Sequence, residues 1–200
     1  MNDNASKPCI DIETNRLSIR NVVEADKEAY MSVRRNNSVI SCAYKLPGFE
    51  DYEWNWELNS PDSIYLSVFI KSTNTLVASA SVQKYLGQEI ELGYDVVDSY
   101  RSQGIATEVV KAILAEVHRL FPEAKVIVRI DKNNTASRRV AEKCGGVLTK
   151  SEDTFMTVVA SLVKEMNDKG TLKPEDNTMY GIVEDYKEHG KDSIYLYVMP

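Results

Sequence analysis

Regular patterning begins at 16–22, Arg-Leu-Ser-Ile-Arg-Asn-Val, where apolar and polar positions alternate as in a strand with one buried face. Residues 24–35 follow with acids at the start and arginines at the end, the charge order that suits a helix dipole. After a loop holding Pro47 and Gly48, residues 49–59 read as a second helix that ends before Pro61. Residues 63–71 place Ile64, Leu66, Val68 and Ile70 on one face, and Ser72-Thr-Asn74 turns the chain into 75–85, so the two segments form a hairpin. A third strand spans 88–97, with Ile90, Leu92, Tyr94 and Val96 alternating against Glu89, Glu91, Gly93 and Asp95.

The period then changes to 3.6. Val109, Val110, Ile113, Leu114, Val117, Leu120 and Phe121 make an apolar stripe on a helix that stops at Pro122. A strand at 125–131 and a helix at 134–144, closed by Gly145-Gly146, come next. Helices over 154–168 and 178–188 and a strand at 193–198 complete the pattern. The order predicts an α/β (α+β) fold: one domain over 1–200, a mixed and mostly antiparallel central sheet flanked by helices, and a helical insertion at 152–191 before the last strand.

Composition changes the picture in three respects. The net charge of −6 disfavours broad binding to nucleic acid or to an anionic membrane and fits a cationic partner. The opening residues carry no basic stretch leading into an apolar core, and no apolar run is long enough to span a bilayer, so a cytoplasmic location is expected. Cys9, Cys42 and Cys144 are widely spaced, with only His118 and His189 beside them, so neither a disulfide framework nor a metal site is expected. Charge is also uneven: residues 101–150 hold 10 basic and 5 acidic side chains, whereas 51–100 hold 2 and 8. A basic quarter in an acidic chain suggests that an anion is handled there, although a solvated helix face gives the same count.

The passage 92–108 bears on that choice, because a strand runs through Arg101-Ser-Gln-Gly104-Ile-Ala106 into a helix. First-turn amides have no intrahelical partner and the helix end is partly positive, so such a turn can hold a phosphate, with Gly104 and Ala106 leaving room and Arg101 adding charge. A glycine there also serves as a plain turn. Neither a G-x-x-x-x-G-K-[ST] nor a G-x-G-x-x-G loop is present.

Two spaced motifs extend the pattern: Arg101 to Ala106 after Leu92-Gly-Tyr94, and Asn134-Thr-Ala-Ser137 running to Glu142-Lys143-Cys-Gly145. With the opening Glu13-Thr-Asn-Arg-Leu17, they resemble the GNAT family of N-acetyltransferases, in the branch of the ribosomal-protein N-terminal acetyltransferases. The resemblance covers about 10–152 and the last strand. It implies acetyl transfer from acetyl-CoA to an amine by direct attack on the thioester, with no metal.

In that framework Arg101, Ser102, Gln103, Gly104, Ile105 and Ala106 hold the pyrophosphate, and the backbone amides of Val96 and Val97 meet the pantetheine chain and the thioester carbonyl. Glu91 is the expected base, with Glu89 second, and both also read as solvent-facing strand acids. Ser137 is the hydroxyl expected at the departing thiolate, or else bonded to local backbone; Asn134 is expected to cap the helix and contact the cofactor, and Arg138, Arg139 and Lys143 to meet the 3′-phosphate of CoA or to form an exposed helix face. The chain departs from the family at Ala141, where many members carry a tyrosine acid, at Gly146, where an aromatic is usual, and in the long segment before the last strand. These departures keep a second reading open, a non-catalytic CoA-binding regulatory or scaffold protein.

Phe49, Tyr52 and Trp56 share a helix face expected to pack in the core, or else to line the acceptor site, with Trp54 pointing elsewhere. Glu50, Asp51, Glu53 and Glu57 on the same segment suit a cationic acceptor such as a polyamine, an aminoglycoside or a basic protein N-terminus. A monomer or a homodimer is expected.

Overall fold

The computed structural model describes residues 7–37, 44, 47–152 and 194–200. Strands β1 (Asp11–Glu13) and β2 (Leu17–Asn21) precede helices α1 (Lys27–Asn37) and α2 (Phe49–Asn59). Strands β3 (Ser63–Ile70), β4 (Thr75–Gln83) and β5 (Glu89–Val96) follow as a meander. Helix α3 (Ile105–Leu120) crosses to β6 (Lys125–Asp131), and α4 (Thr135–Lys143), β7 (Val147–Glu152) and β8 (Ile194–Val198) complete the described chain. The eight strands form one sheet in the order β1-β2-β3-β4-β5-β6-β8-β7, with β5 and β6 the parallel pair among antiparallel neighbours. The mixed, mostly antiparallel sheet expected from the periodicity is the one observed. The two helices expected at 154–168 and 178–188 lie outside the described residues.

Alternation along the strands separates two unlike faces. Even-numbered positions such as Ala78, Ala80, Val82, Ile90, Leu92 and Val96 pack with Val109, Val110, Ile113, Leu114 and Val117 of α3, the stripe the sequence displays, and with Ala141 of α4. The opposite face is covered by α1 and α2 over a smaller cluster of Val22, Tyr30, Met31 and Trp54. Its strand positions include buried serines, Ser67, Ser79 and Ser81. One face is an apolar core, and the other is a polar layer pinned by hydrogen bonds and ion pairs.

Helix α2 turns differently from expectation. Trp54 is 1% exposed, whereas Tyr52 and Trp56 are 67% and 53% exposed. The cause is the inward stripe of Glu53 and Glu57, which meets Arg34 of α1, while the Trp54 indole donates to Glu24 at 3.1 Å. Charge pairing fixes the rotation of this helix, which has no well-defined apolar stripe of its own.

Strands β1 and β7 are additions that the sequence pattern did not reveal. β7 has exposed Val147 and Leu148 and no alternation; it exists because β8 offers its edge, pairing Leu148 with Tyr197 and Glu152 with Ile194. The absence of an aromatic at Gly146 does not loosen this corner. A Cβ on Gly146 would lie 2.8 Å from Met199 Sδ and 2.9 Å from Ala141 O, so the last strand's own Met199 fills the space.

Trp54→Ala is expected to destabilise the protein by about 3–5 kcal/mol in denaturant unfolding, and Trp56→Ala by less than about 1 kcal/mol. Equal effects would place the wrong tryptophan in the core.

Candidate active site

The register between β5 and β6 covers three residue pairs, Glu89 with Lys125, Ile90 with Val126 and Glu91 with Ile127. Beyond Glu91 the two strands part, while β5 stays paired with β4 up to Val96. Backbone groups alternate in direction along a strand, and the Val97 N–H donates to Val77 O on the β4 side at 2.9 Å. Beyond the last β5–β6 pair, the amides of Tyr94 and Val96 therefore face the split. Of the two donors expected from the sequence, Val96 is directed into the split and Val97 is already used by β4.

Past Val96 a single turn of 3-10 helix, Asp98–Tyr100, leads to the loop. Gly104 caps α3 in the left-handed region at φ 79°, and Ser102 also has positive φ, at 61°. The first amide of α3 to meet a helical carbonyl is that of Glu108, which donates to Gly104 O, so the amides of Ile105, Ala106 and Thr107 precede the helical ladder. The nearest atom to a Cβ built on Gly104 is Arg16 Nη2 at 3.8 Å, so the concavity is open. Open space, unladdered amides and the partly positive helix end suit a pyrophosphate.

Arg101 folds back onto the strand end, its Nε donating to Val96 O at 3.3 Å and its Nη2 pairing with Asp98 at 2.8 Å. The cation standing over the loop is Arg16, which reaches Gln103 O at 3.2 Å and Glu108 at 2.6 Å. Thr14 joins it by donating to the other Glu108 oxygen at 2.6 Å. Burial raises the Glu108 carboxyl, but the bonds from Thr14 and Arg16 outweigh it and hold it below the usual range. Arg16 and Thr14 were absent from the expected site, though they sit in the opening motif Glu13 to Leu17. A cleft of about 470 Å³ flanks this turn, lined among others by Arg16, Ile70, Lys71, Gln103 and Ile105.

The start of α4 meets the split half of β5 through Tyr94. Asn134 caps the helix, accepting from the Ser137 amide at 3.0 Å as expected. The Tyr94 hydroxyl donates to Ser137 O at 3.2 Å, and burial pushes its pKa up to about 12. Ala141 is buried in the core and offers no acid. Arg138 is taken up by β8: it bonds Tyr197 Oη at 3.3 Å and Lys132 O at 3.1 Å and lies over the Tyr195 ring. Arg139 and Lys143 are exposed.

On the α1/α2 face the carboxylates fall into two groups. Glu89 and Glu91 meet Arg129 at 3.4 Å and 2.6 Å, and Arg129 also holds Glu152 at 2.9 Å. Lys84, Lys125 and Lys150 each add a further ion pair to these carboxylates. The hydrogen bond from Lys125 holds the Glu89 carboxyl below its usual range, which weakens it as a base. The second group centres on Arg34, which contacts Glu53 at 3.2 Å, Glu57 at 3.1 Å and Asp95 at 2.9 Å. Tyr44 donates to Glu53 as well. The acids of α2 expected to draw a cationic acceptor are thus largely paired within the fold, Glu50 with Arg35 and Asp51 with Lys27.

The GNAT acetyltransferase domain model matches residues 16–147, a span that holds both the split and the loop. The chain belongs to the GNAT acetyltransferases. It shares their fold with a putative ribosomal-protein-serine acetyltransferase from Vibrio cholerae, at 18% identity, TM-score 0.64 and coverage of 96% of this chain and 98% of that one. A GNAT-family acetyltransferase from Bacillus anthracis is similar at 18% identity and TM-score 0.64, covering 95% and 98%. A spermidine N-acetyltransferase from Vibrio cholerae, solved with CoA and spermine, matches at 14% identity and TM-score 0.59, over 70% of this chain and 86% of that one. No curated protein matches the chain in sequence. As a GNAT member the protein is an acetyl-CoA-dependent acetyltransferase. Among the described residues no helix is long and apolar enough to cross a membrane.

Among the described residues of this GNAT domain, Glu57 is the carboxyl most displaced from ordinary behaviour. Burial pushes its pKa up to about 7, against the pull of Arg34. A folded-state value above the unfolded one means that the folded protein holds this proton more tightly, so stability is full at low pH and declines as pH rises through about 7. Unfolding free energy is expected to fall on the order of 2 kcal/mol between about pH 5 and about pH 8, and Glu57→Gln to flatten that part of the profile. A variant with the wild-type slope would assign the titration to another group.

Proposed function

We propose that the protein transfers an acetyl group from acetyl-CoA to a primary amine, either a protein N-terminus or a small-molecule amine, by direct attack on the thioester. The observation that carries this reading is the parting of β5 from β6 immediately upstream of the open, glycine-capped turn of α3. An unpaired strand edge can receive an extended amide-bearing chain as another strand would, and the helix start can receive the pyrophosphate to which that chain is attached.

The residues then divide the work. The amides of Ile105 and Ala106 hold the pyrophosphate, Gly104 keeps the approach open, Ser102 and Gln103 shape the turn, and Arg16 supplies the charge first assigned to Arg101. The Val96 amide orients the pantetheine arm, and amides facing the split are already aimed at the oxygen that gains charge during attack. The Ser137 hydroxyl meets the departing thiolate in this reading, with Asn134 fixing the helix start and Lys143 exposed farther along α4. Of the solved relatives, one is a putative ribosomal-protein-serine acetyltransferase and one a spermidine N-acetyltransferase, so the fold serves protein and polyamine acceptors.

Calorimetric titration tests the reading: acetyl-CoA and CoA are expected to bind at micromolar affinity and NAD not at all. Ala106→Glu, which keeps helical geometry while adding bulk and negative charge at the turn, is expected to weaken acetyl-CoA binding at least about 100-fold, and Gly104→Glu to do the same. Unchanged affinity would place the pyrophosphate elsewhere. Ser137→Ala is expected to lower kcat about tenfold or more without altering that affinity. CoA binding without turnover on any amine would instead favour the non-catalytic reading, for which the buried Ala141 is the supporting observation.

A further inference from the structure

We propose that Asp95, in the Arg34 cluster, is the carboxylate that takes the proton from the acceptor amine, and that Glu91 clamps the closed end of the split. The inference rests on the acetyltransferase reading above and assigns its base. Three observations carry it.

The first is position. Glu91 lies in the last residue pair that joins β5 to β6, whereas Asp95 lies on the separated half of β5, between Tyr94 and Val96, whose amides face the split. The Asp95 side chain projects to the α1/α2 face, where it meets Arg34. The α3 turn and α4, which carry the cofactor residues, lie on the opposite face. An amine entering from the α1/α2 side therefore reaches the split opposite the cofactor and passes Asp95.

The second is the sign of the local charge. Around Glu91 the carboxylates of Glu89, Glu91 and Glu152 face Arg129, Lys84, Lys125 and Lys150, three negative against four positive groups. That environment repels an ammonium ion. Around Asp95, among the described residues, the carboxylates of Glu53, Glu57 and Asp95 share the guanidinium of Arg34, with the phenols of Tyr30, Tyr44 and Tyr65 also bordering the cluster. The excess among these described groups is negative, which attracts the ammonium.

The third is an unsatisfied group. Glu57 is 2% exposed, and its Oε2 has no hydrogen-bond partner among the described residues. Arg34 is thus spread over three carboxylates without satisfying all of them, and it engages Asp95 through one oxygen, Oδ2. Asp95 itself is a quarter exposed, so the amine can reach it.

In the reaction the ammonium gives one proton to the Asp95 carboxylate. The freed nitrogen lone pair forms the C–N bond at the thioester carbon, and the C–S bond breaks with its electron pair passing to sulfur. The second nitrogen proton neutralises that thiolate, and Asp95 returns its proton to water. Atoms and charge balance without a further reactant.

The test uses the full chain with spermidine and a peptide bearing an N-terminal serine as acceptor probes. Asp95→Asn is expected to lower kcat at least about 100-fold on whichever probe is acetylated, with acetyl-CoA affinity kept within about twofold. Asp95→Glu is expected to retain more activity than Asp95→Asn, and added formate to restore turnover to a folded Asp95→Ala, a rescue that a purely structural role would not give. Asp95→Asn within about threefold of wild type, a larger loss in Glu91→Gln than in Asp95→Asn, or failure of formate rescue in folded Asp95→Ala would each overturn the assignment. A wild-type protein that binds acetyl-CoA and acetylates neither probe would instead overturn the functional reading on which the assignment rests.

Discussion

Three residue pairs hold β5 against β6, and everything functional depends on that register ending where it does. Both strands are otherwise well paired, β5 to β4 and β6 to β8, so their separation leaves a row of backbone donors exposed without loosening the sheet. Arg129 sits just beyond the last pair and ties Glu89 and Glu91 of one strand to Glu152 of a third, closing the narrow end of the split with charge where hydrogen bonding stops. The wide end opens at Val96, and the chain turns there into α3. A strand edge for an extended arm and a helix start for an anion are adjacent because one segment supplies both.

The two faces of the sheet are stabilised by different physics. On the α3 side the contribution is burial of Val, Ile and Leu, non-directional and tolerant of detail. On the α1/α2 side Arg34 meets Glu53, Glu57 and Asp95, and the Arg20 side chain meets Asp26 at 2.7 Å, with Ser67 donating to the same carboxylate. Partly buried ion pairs gain less net stability than equivalent apolar contacts, but they fix position. Their geometry sets the rotation of α2, keeps Glu57 poised near neutrality, and places an excess of negative charge beside the open half of β5. Strength of packing and precision of charge are thus assigned to opposite sides of one sheet.

Much of this was legible in the chain. Residues 63–97 alternate cleanly because each strand has one face against α3, and the stripe from Val109 to Phe121 has helical period because that helix lies flat on the sheet. The turn at Arg101 to Ala106 was legible because phosphate binding by backbone amides demands small residues at fixed offsets, and Asn134 because a cap must precede its helix. β7 was not, since Val147 and Leu148 are exposed and the strand follows from an available edge. Trp54 and Trp56 could not be told apart either, because the rotation of α2 is decided by a guanidinium on another helix.

The sequence by itself determined the order of elements, the family and the loop that receives a phosphate, all of which depend on residues near one another in the chain. Tertiary structure decided which cation stands over that loop, Arg16 from the first hairpin, and which backbone amides face the split, Val96 rather than Val97. It also decided the electrostatic character of each carboxylate on β5. Glu91 and Asp95 are alike as residues and share a strand face; Arg129 with its lysines surrounds one, and Arg34 with two further acids surrounds the other. Those partners come from elements dozens of residues away, and charge acts through space, so no local pattern could have distinguished the two.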